Sequence, residues 1–437
     1  MLYRKIDAVL LDWKNSDDKT PLIIKGCRQC GKTFSVMQFA EKNYKHVVYI
    51  NFFENKEFSS AFEGALDVDT IVMNLSSILL KKARFVPYET CIILDELQEC
   101  GKARTALKFF KLDGRYDVIC TGSLLGVKGY GDEPVSIPVG YETTIQMFPL
   151  DFEEFLWANG VDKSITDYVE KCFNEETPVN DTIHTTMRNL LLQYVVVGGM
   201  PNVVSTFVSS HDFRKVQEKQ RNIVNAYKDD MVKYASKDDK SCIRECFESI
   251  PKQLSKENKK FQYSVVKKGG SASKFLGSIQ WIDDAGITNR CYNLSTTELP
   301  LAGNSLADVF KVYMVDSGLF ISMLEDDTYA DVLQGDLYGY KGAIFENLIA
   351  DVFTKMGRKL YYFHKDSGLE IDFVTKYKGK CTLVEVKANT GNVKATKTIL
   401  KHPEIYHVYD AIKLGNYNVG RENGILTLPS YMAYLLR

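Results

Sequence analysis

Between Lys25 and Phe34 the chain reads KGCRQCGKTF, and two kinds of chemistry compete for it. Cys27 and Cys30 have the spacing of a dithiol or of half a metal site, whereas Gly26, Gly31, Lys32 and Thr33 spell G-x-x-x-x-G-K-T. A phosphate-binding loop needs an extended strand, a turn whose backbone N–H groups converge, and then the positive end of a helix dipole. Pro21–Ile24 supplies the apolar strand, and TFSVMQFAEKNY supplies helical periodicity through Val36, Phe39 and Ala40. Glycine at 26 and 31 permits backbone conformations and a close approach that a side chain would block. Triphosphate binding therefore falls on Gly26, Cys27, Arg28, Gln29, Cys30, Gly31, Lys32, Thr33 and Phe34. Lys32 is placed to reach the β- and γ-phosphates, and Thr33 to set its hydroxyl on Mg²⁺. Sulfur chemistry would need more ligands: the 10 cysteines are scattered, no second C-x-x-C follows, and only 6 histidines are present. The cysteines read as reduced thiols, mostly in the core, and Cys27 and Cys30 as passengers of the loop.

Two further sets of carboxylates could do chemistry. CIILDELQ, Cys91 to Gln98, is a continuous apolar strand ending in adjacent acids, as a Walker B element does. Asp95 would hold Mg²⁺ through its water shell, and Glu96 would polarise an attacking water. Near the C-terminus, GLEIDFVTKYKGKCTLVEVKAN contains two strand-like segments joined by a lysine and glycine turn. Side chains two apart share a strand face, which aligns Glu385 with Lys387 and leaves Asp372 on the preceding strand. This is the PD-(D/E)XK nuclease arrangement: Asp372 and Glu385 hold a metal ion and Lys387 orients or helps deprotonate the attacking water. Glu346, in KGAIFENLIADVF, lies on a preceding helix where another acid is often supplied. The competing reading is an inward-facing, salt-bridged cluster without metal.

The elements that must position these residues follow from pattern. HVVYINF (46–52), YDVICTGSLLG (116–126) and TTIQMFPL (143–150) join Pro21–Ile24 and CIILD as five strands of an α/β sheet, with ligand at the carboxyl edge. The chain has 437 residues, 45% apolar and 25% charged, and a formal charge of −1, so no whole-chain attraction to nucleic acid or acidic membrane exists. No apolar run approaches the roughly 18 to 20 residues that span a bilayer, and the first residues are too charged for a secretory signal. A cytoplasmic location and no membrane partner are expected.

The combination GCRQCGKT, ILDELQ, VICTGS, FPLDFEEFL and VVGGMP resembles the bacterial and archaeal AAA-type ATP-binding proteins that carry a C-terminal domain of unknown function related to restriction-endonuclease folds. The resemblance spans nearly the whole chain. It implies ATP as the nucleotide, and no guanine-reading N-K-x-D is evident. The implied fold class is α/β: a P-loop, AAA-type parallel sheet followed by helical, winged-helix-like and restriction-endonuclease-like units. In such ATPases the strand between the P-loop and Walker B strands ends in a polar sensor of the γ-phosphate. Thr121 resembles it; Ser123 and a plain strand-end turn are the alternatives. Many relatives have Gly-Arg shortly before the Pro-Leu-Ser/Asp-Phe segment, whereas here Tyr141 follows Gly140. An arginine that would stabilise the transferring phosphate is missing from that place.

The expected divisions are 1–150 for the ATPase, 151–236 for a helical extension with Asp151 as N-cap, 237–335 for a winged-helix-like unit, and 336–437 for the nuclease-like unit. PKQLSKENKKFQYSVVKKGGSASKF has 7 lysines against 1 glutamate, which suits DNA backbone contact or a solvated face equally. Two functions stand. One is an ATP-driven switch or motor controlling a metal-dependent nuclease on DNA; the other is an ATP-dependent scaffold that binds protein or nucleic acid without cutting. A homo-oligomer is compatible with both, and in it a neighbouring copy could supply the missing arginine.

Overall fold

The computed structural model describes residues 2–123, 140–234, 240–256, 259–335, 340–388 and 391–437. They form two compact units: Tyr3–Pro149 with Asp284–Gly286, and Leu150–Asp283 with Ile287–Arg437.

The first unit is built on strands β1 (Leu22–Gly26), β2 (His46–Asn51), β3 (Thr90–Asp95), β4 (Asp117–Ser123) and β5 (Thr143–Gln146). They pair in parallel in the order β2-β3-β4-β1-β5. All six residues of β3 are buried, as a central strand covered on both faces requires. Ile23, Val48, Ile50, Ile92, Leu94, Val118 and Cys120 of the sheet join Phe62, Ile71, Leu75, Leu107 and Phe110 in one core. The helix Lys32–Asn43 follows β1 and buries Ser35, Val36, Phe39 and Ala40. The five expected strands are all present, and this is the P-loop α/β fold.

The second unit begins with helices Phe152–Ala158, Lys163–Glu175, Asp181–Val197, Pro201–Ser210 and Phe213–Tyr234. Asp151 caps the first: its carboxylate accepts from the Glu154 N–H at 2.9 Å, and the Glu154 carboxylate accepts from the Asp151 N–H at 3.0 Å. The VVGGMP stretch is a close-approach device. The Leu150 N–H donates to the Gly199 carbonyl at 2.7 Å, while the Gly199 N–H donates at 2.6 Å to Asp316, a fully buried carboxylate.

Helices Lys240–Leu254, Tyr263–Val266 and Ala272–Asp284 lead into the antiparallel pair β6 (Thr288–Leu294) and β7 (Ser305–Met314). After the helix Lys341–Lys355 come β8 (Leu360–His364), β9 (Glu370–Ile371), β10 (Phe373–Tyr377), β11 (Lys380–Val386), β12 (Asp410–Gly415), β13 (Gly420–Glu422) and β14 (Ile425–Pro429). One sheet runs β7-β6-β8-β9 and the other β10-β11-β12-β14-β13. Strands from both sides of Gly335 thus share a sheet, because β6 pairs antiparallel with β7 and parallel with β8.

A Cβ at Gly199 would lie 2.0 Å from the Leu150 carbonyl oxygen, a backbone atom with no rotamer to escape into. Gly199→Ala should therefore cost about 1–3 kcal/mol, read as a lowered transition in scanning calorimetry. Gly420→Ala, where nothing lies within 4 Å, should leave that transition in place.

Candidate functional site

The loop from Gly26 to Lys32 is shaped by two backbone demands. Gly31 adopts φ 97°, a region that favours glycine, and forms the N-cap of the helix Lys32–Asn43. A Cβ on Gly26 would lie 2.3 Å from the Met147 carbonyl oxygen just beyond β5, so only glycine lets the loop start there. Arg28, Gln29 and Phe34 face solvent, while Cys27 and Cys30 turn inward. The Lys32 ammonium lies back on the loop, donating to the carbonyls of Gly26 and Cys27 at 3.0 Å each.

Asp95, only 4% exposed, is the centre of this edge. Thr33 Oγ1 donates to its two oxygens at 3.2 and 3.1 Å, Tyr49 Oη at 2.6 Å, the Glu96 N–H at 3.1 Å and Asn51 Nδ2 at 3.5 Å. Thr121 Oγ1 also donates to it. Burial, and then the hydrogen bond to Asp95, push the Tyr49 phenol above its usual range, so it stays a donor. Among the described residues no lysine or arginine pairs with Asp95. A buried carboxylate ringed by neutral donors and adjacent to a threonine hydroxyl fits Mg²⁺, which Thr33 and Asp95 would hold. Glu96 stands at φ 54° and ψ 48°, a strained geometry for a side-chain-bearing residue, and accepts a hydrogen bond from Gln98 Nε2.

The loop residues, Asp95, Glu96 and Thr121 thus share the carboxyl edge of one sheet. Thr121 is fully buried with its hydroxyl on Asp95, and the side chain of Ser123 lies outside the described residues. Tyr49 and Asn51 were not anticipated; their one signal was polar atoms closing the apolar run of β2. At the place of the missing arginine, the Tyr141 ring lies under Lys108 Nζ at 5.3 Å, and neighbouring Glu142 holds the buried Arg104 at 2.6 Å.

The second unit gathers the C-terminal acids. Lys387 Nζ lies 2.8 Å from Glu385 Oε2 and 4.0 Å from Asp372 Oδ2. Asp372 accepts the Val386 N–H at 2.8 Å, and Glu385 accepts Thr396 Oγ1 at 2.9 Å. Burial, then repulsion from Glu346 and Glu385, push the Asp372 carboxyl up to about 8. Glu346 is engaged differently. Its oxygens meet Lys259, Tyr313 Oη at 3.1 Å and Lys311 at 3.8 Å. Lys311, whose side chain is 1% exposed, also pairs with Glu370 at 2.7 Å. Neither Lys311 nor Lys259 was anticipated, though a lysine interrupting the apolar VFKVYM was the available signal. Among the described residues no group of three or more His, Cys, Asp or Glu side chains is arranged to hold a metal ion. The repulsion on Asp372 is what a bound cation would relieve, whereas Glu385 is paired with Lys387 and Glu346 with Lys259 and Lys311.

Residues 18–156 match a family described as an AAA domain. Residues 188–330 and 341–431 match two families each described as a domain of unknown function, DUF8612 and DUF4143. No curated protein matches. Among solved structures, a Walker-type ATPase of Pyrococcus abyssi is 10% identical with TM-score 0.42, covering 74% of this chain and 96% of that one. The ORC1 protein of Aeropyrum pernix in complex with DNA is 12% identical with TM-score 0.30, covering 76% and 91%. AMPPCP-bound DnaA from Aquifex aeolicus is 14% identical with TM-score 0.28, covering 65% and 90%. At these scores the overlap says nothing of substrate or partner. The first unit has the fold of AAA-type ATP-binding domains, and among the described residues no helix is long and apolar enough to cross a membrane.

Tyr49→Phe removes one hydrogen bond from Asp95 and no volume from the core. It should weaken the Mg²⁺ dependence of nucleotide binding about fivefold, the equivalent of about 1 kcal/mol, in calorimetric titrations at stepped Mg²⁺ concentrations.

Proposed function

We propose that this chain is a magnesium-dependent ATPase whose first 150 residues serve as a switch or motor for the segments 151–236, 237–335 and 336–437, the last being nuclease-like and directed at DNA. The observation that supports it best is Asp95: a buried carboxylate beside Thr33, hydrogen-bonded by neutral hydroxyls, in a position where positive charge would arrive with Mg·ATP. Lys32 would leave the carbonyls of Gly26 and Cys27 for the β- and γ-phosphates. Glu96, oriented by Gln98, would polarise the attacking water, and Thr121 would act on the phosphate end through Asp95. Bound Mg²⁺ supplies charge neutralisation along the triphosphate. Binding that differs between ATP and ADP is then what would shift the later segments between arrangements. Exposed lysines such as Lys252, Lys260 and Lys268 would meet DNA phosphates in the winged-helix-like segment. A second copy of the chain is one source of the arginine missing at Tyr141.

In the nuclease-like segment, Asp372 and Glu385 would hold a metal ion and Lys387 would orient water. A second reading, the non-cutting scaffold, draws on a specific observation: Lys311 and Lys259 already neutralise Glu346, the acid that would complete the set.

Lys32→Ala should weaken Mg·ATP binding at least about tenfold, whereas Glu96→Gln should keep ATP while turnover falls about 100-fold or more. Equal turnover in the two variants overturns the assignment of roles. Separately, the intact protein with Mg²⁺ or Mn²⁺ should cleave single- or double-stranded DNA, and Lys387→Ala should not. Absence of cleavage on every DNA and RNA form selects the scaffold.

A further inference from the structure

The two cysteines of the loop do more in space than their spacing suggests. Cys27 is 3% exposed and Cys30 fully buried, while Arg28 and Gln29 between them are exposed. The Cys30 N–H approaches the Cys27 carbonyl at 3.5 Å, closing a four-residue turn. Such a turn holds its end Cα atoms within about 7 Å, and a disulfide spans about 4.4–6.8 Å between Cα atoms. The Cys30 thiol donates to the Met147 carbonyl at 3.6 Å, and its sulfur lies 2.9 Å from where a Cβ on Gly26 would sit. Hydrogen bonding from Cys27, with Lys32 and Arg4 nearby, outweighs burial and brings the Cys30 thiol down to about 6. Burial moves Cys91, Cys100, Cys120, Cys246, Cys291 and Cys381 the other way. Cys30 is thus distinguished from these six core thiols by its neighbours.

We propose that Cys27 and Cys30 form a peroxide-sensitive dithiol whose closure to a disulfide shuts off nucleotide binding by the loop. The inference rests on the nucleotide-binding reading of that loop. The Cys30 thiolate attacks one oxygen of hydrogen peroxide, the O–O bond breaks, and Cys30 sulfenic acid forms with release of hydroxide. The Cys27 sulfur then attacks the Cys30 sulfur; the S–S bond forms, the S–O bond breaks, and the departing hydroxide takes the Cys27 proton as water. Two thiols and one peroxide give one disulfide and two waters, the protein losing two electrons that the peroxide gains. A small oxidant suits sulfurs this well covered. The fixed bond length and dihedral of the disulfide draw the Cys30 sulfur from the Met147 carbonyl and re-aim the peptide units between residues 27 and 32.

The test treats the full-length, reduced protein with hydrogen peroxide, maps disulfides by peptide mass spectrometry after alkylation, and titrates Mg·ATP calorimetrically. Oxidation should link Cys27 to Cys30 and weaken Mg·ATP binding by at least about tenfold, with recovery on adding dithiothreitol. In Cys27→Ser and in Cys30→Ser, each compared with itself before and after peroxide, affinity should not change. Absence of the 27–30 link in folded, peroxide-treated protein overturns the proposal, and so does a mapped link with affinity unchanged. Failure of the reduced wild type to bind Mg·ATP would instead remove the nucleotide reading, while the peptide map still decides whether the dithiol closes.

Discussion

The first unit depends on burying one carboxylate among hydrogen-bond donors that carry no charge. A buried charge without partners costs several kcal/mol, and Asp95 has no cation among the described residues to offset that. Its stabilisation comes from dipoles, and those dipoles come from different parts of the chain: Thr33 after β1, Tyr49 and Asn51 on β2, Thr121 on β4, and the Glu96 amide. The strand order places β3 between β2 and β4, and the parallel register sets Asn51 opposite Asp95. A slip of one residue in any of these strands would turn a donor to the other face of the sheet. Register, burial and site are one constraint.

The C-terminal cluster solves the same problem in the opposite way. There the buried acids are met by ammonium groups: Lys311 between Glu346 and Glu370, Lys259 on Glu346, and Lys387 on Glu385. The same unit repeats the device at Lys355, which pairs with the fully buried Asp351 at 2.7 Å and also donates to the Leu150 carbonyl at 3.0 Å. Charge is therefore partly balanced from within, though burial still pushes the Asp351 carboxyl up to about 7, and Asp372 is offset less. Its carboxyl is pushed up to about 8 because Lys311 and Lys387 do not offset burial and two acidic neighbours. The residual imbalance falls on the aspartate of the Asp and Glu-x-Lys pattern. The electrostatics thus separate Asp372, which retains a deficit of positive charge, from Glu346, which does not.

What could be read from the sequence divides along the same physical line. The five parallel strands were legible because strands covered on both faces must be continuous apolar runs, and their polar ends because Gly, Lys, Asp and Glu have no place inside such runs. Tyr49 and Asn51 escaped because a tyrosine in HVVYINF serves equally well as core, and only its partner across the sheet makes it a donor. The capping box at Asp151 is local and was legible. The neutralisation of Glu346 was not: Lys259 is 87 residues away from it and Tyr313 is 33, so the ring closes only once the sheet and the helix Lys341–Lys355 have packed. Cys27 and Cys30 present a subtler case. Counting absent ligands disposes of a metal site, since zinc needs four, but a redox pair needs only two sulfurs in contact, and contact is set by the turn. The glycine pattern of the phosphate loop flanks that turn: Gly26 passes close to Met147, Gly31 takes a left-handed backbone, and Gln29 within the turn stands at φ 66°. The loop that carries the glycine pattern thus sets the two cysteines at the ends of one turn.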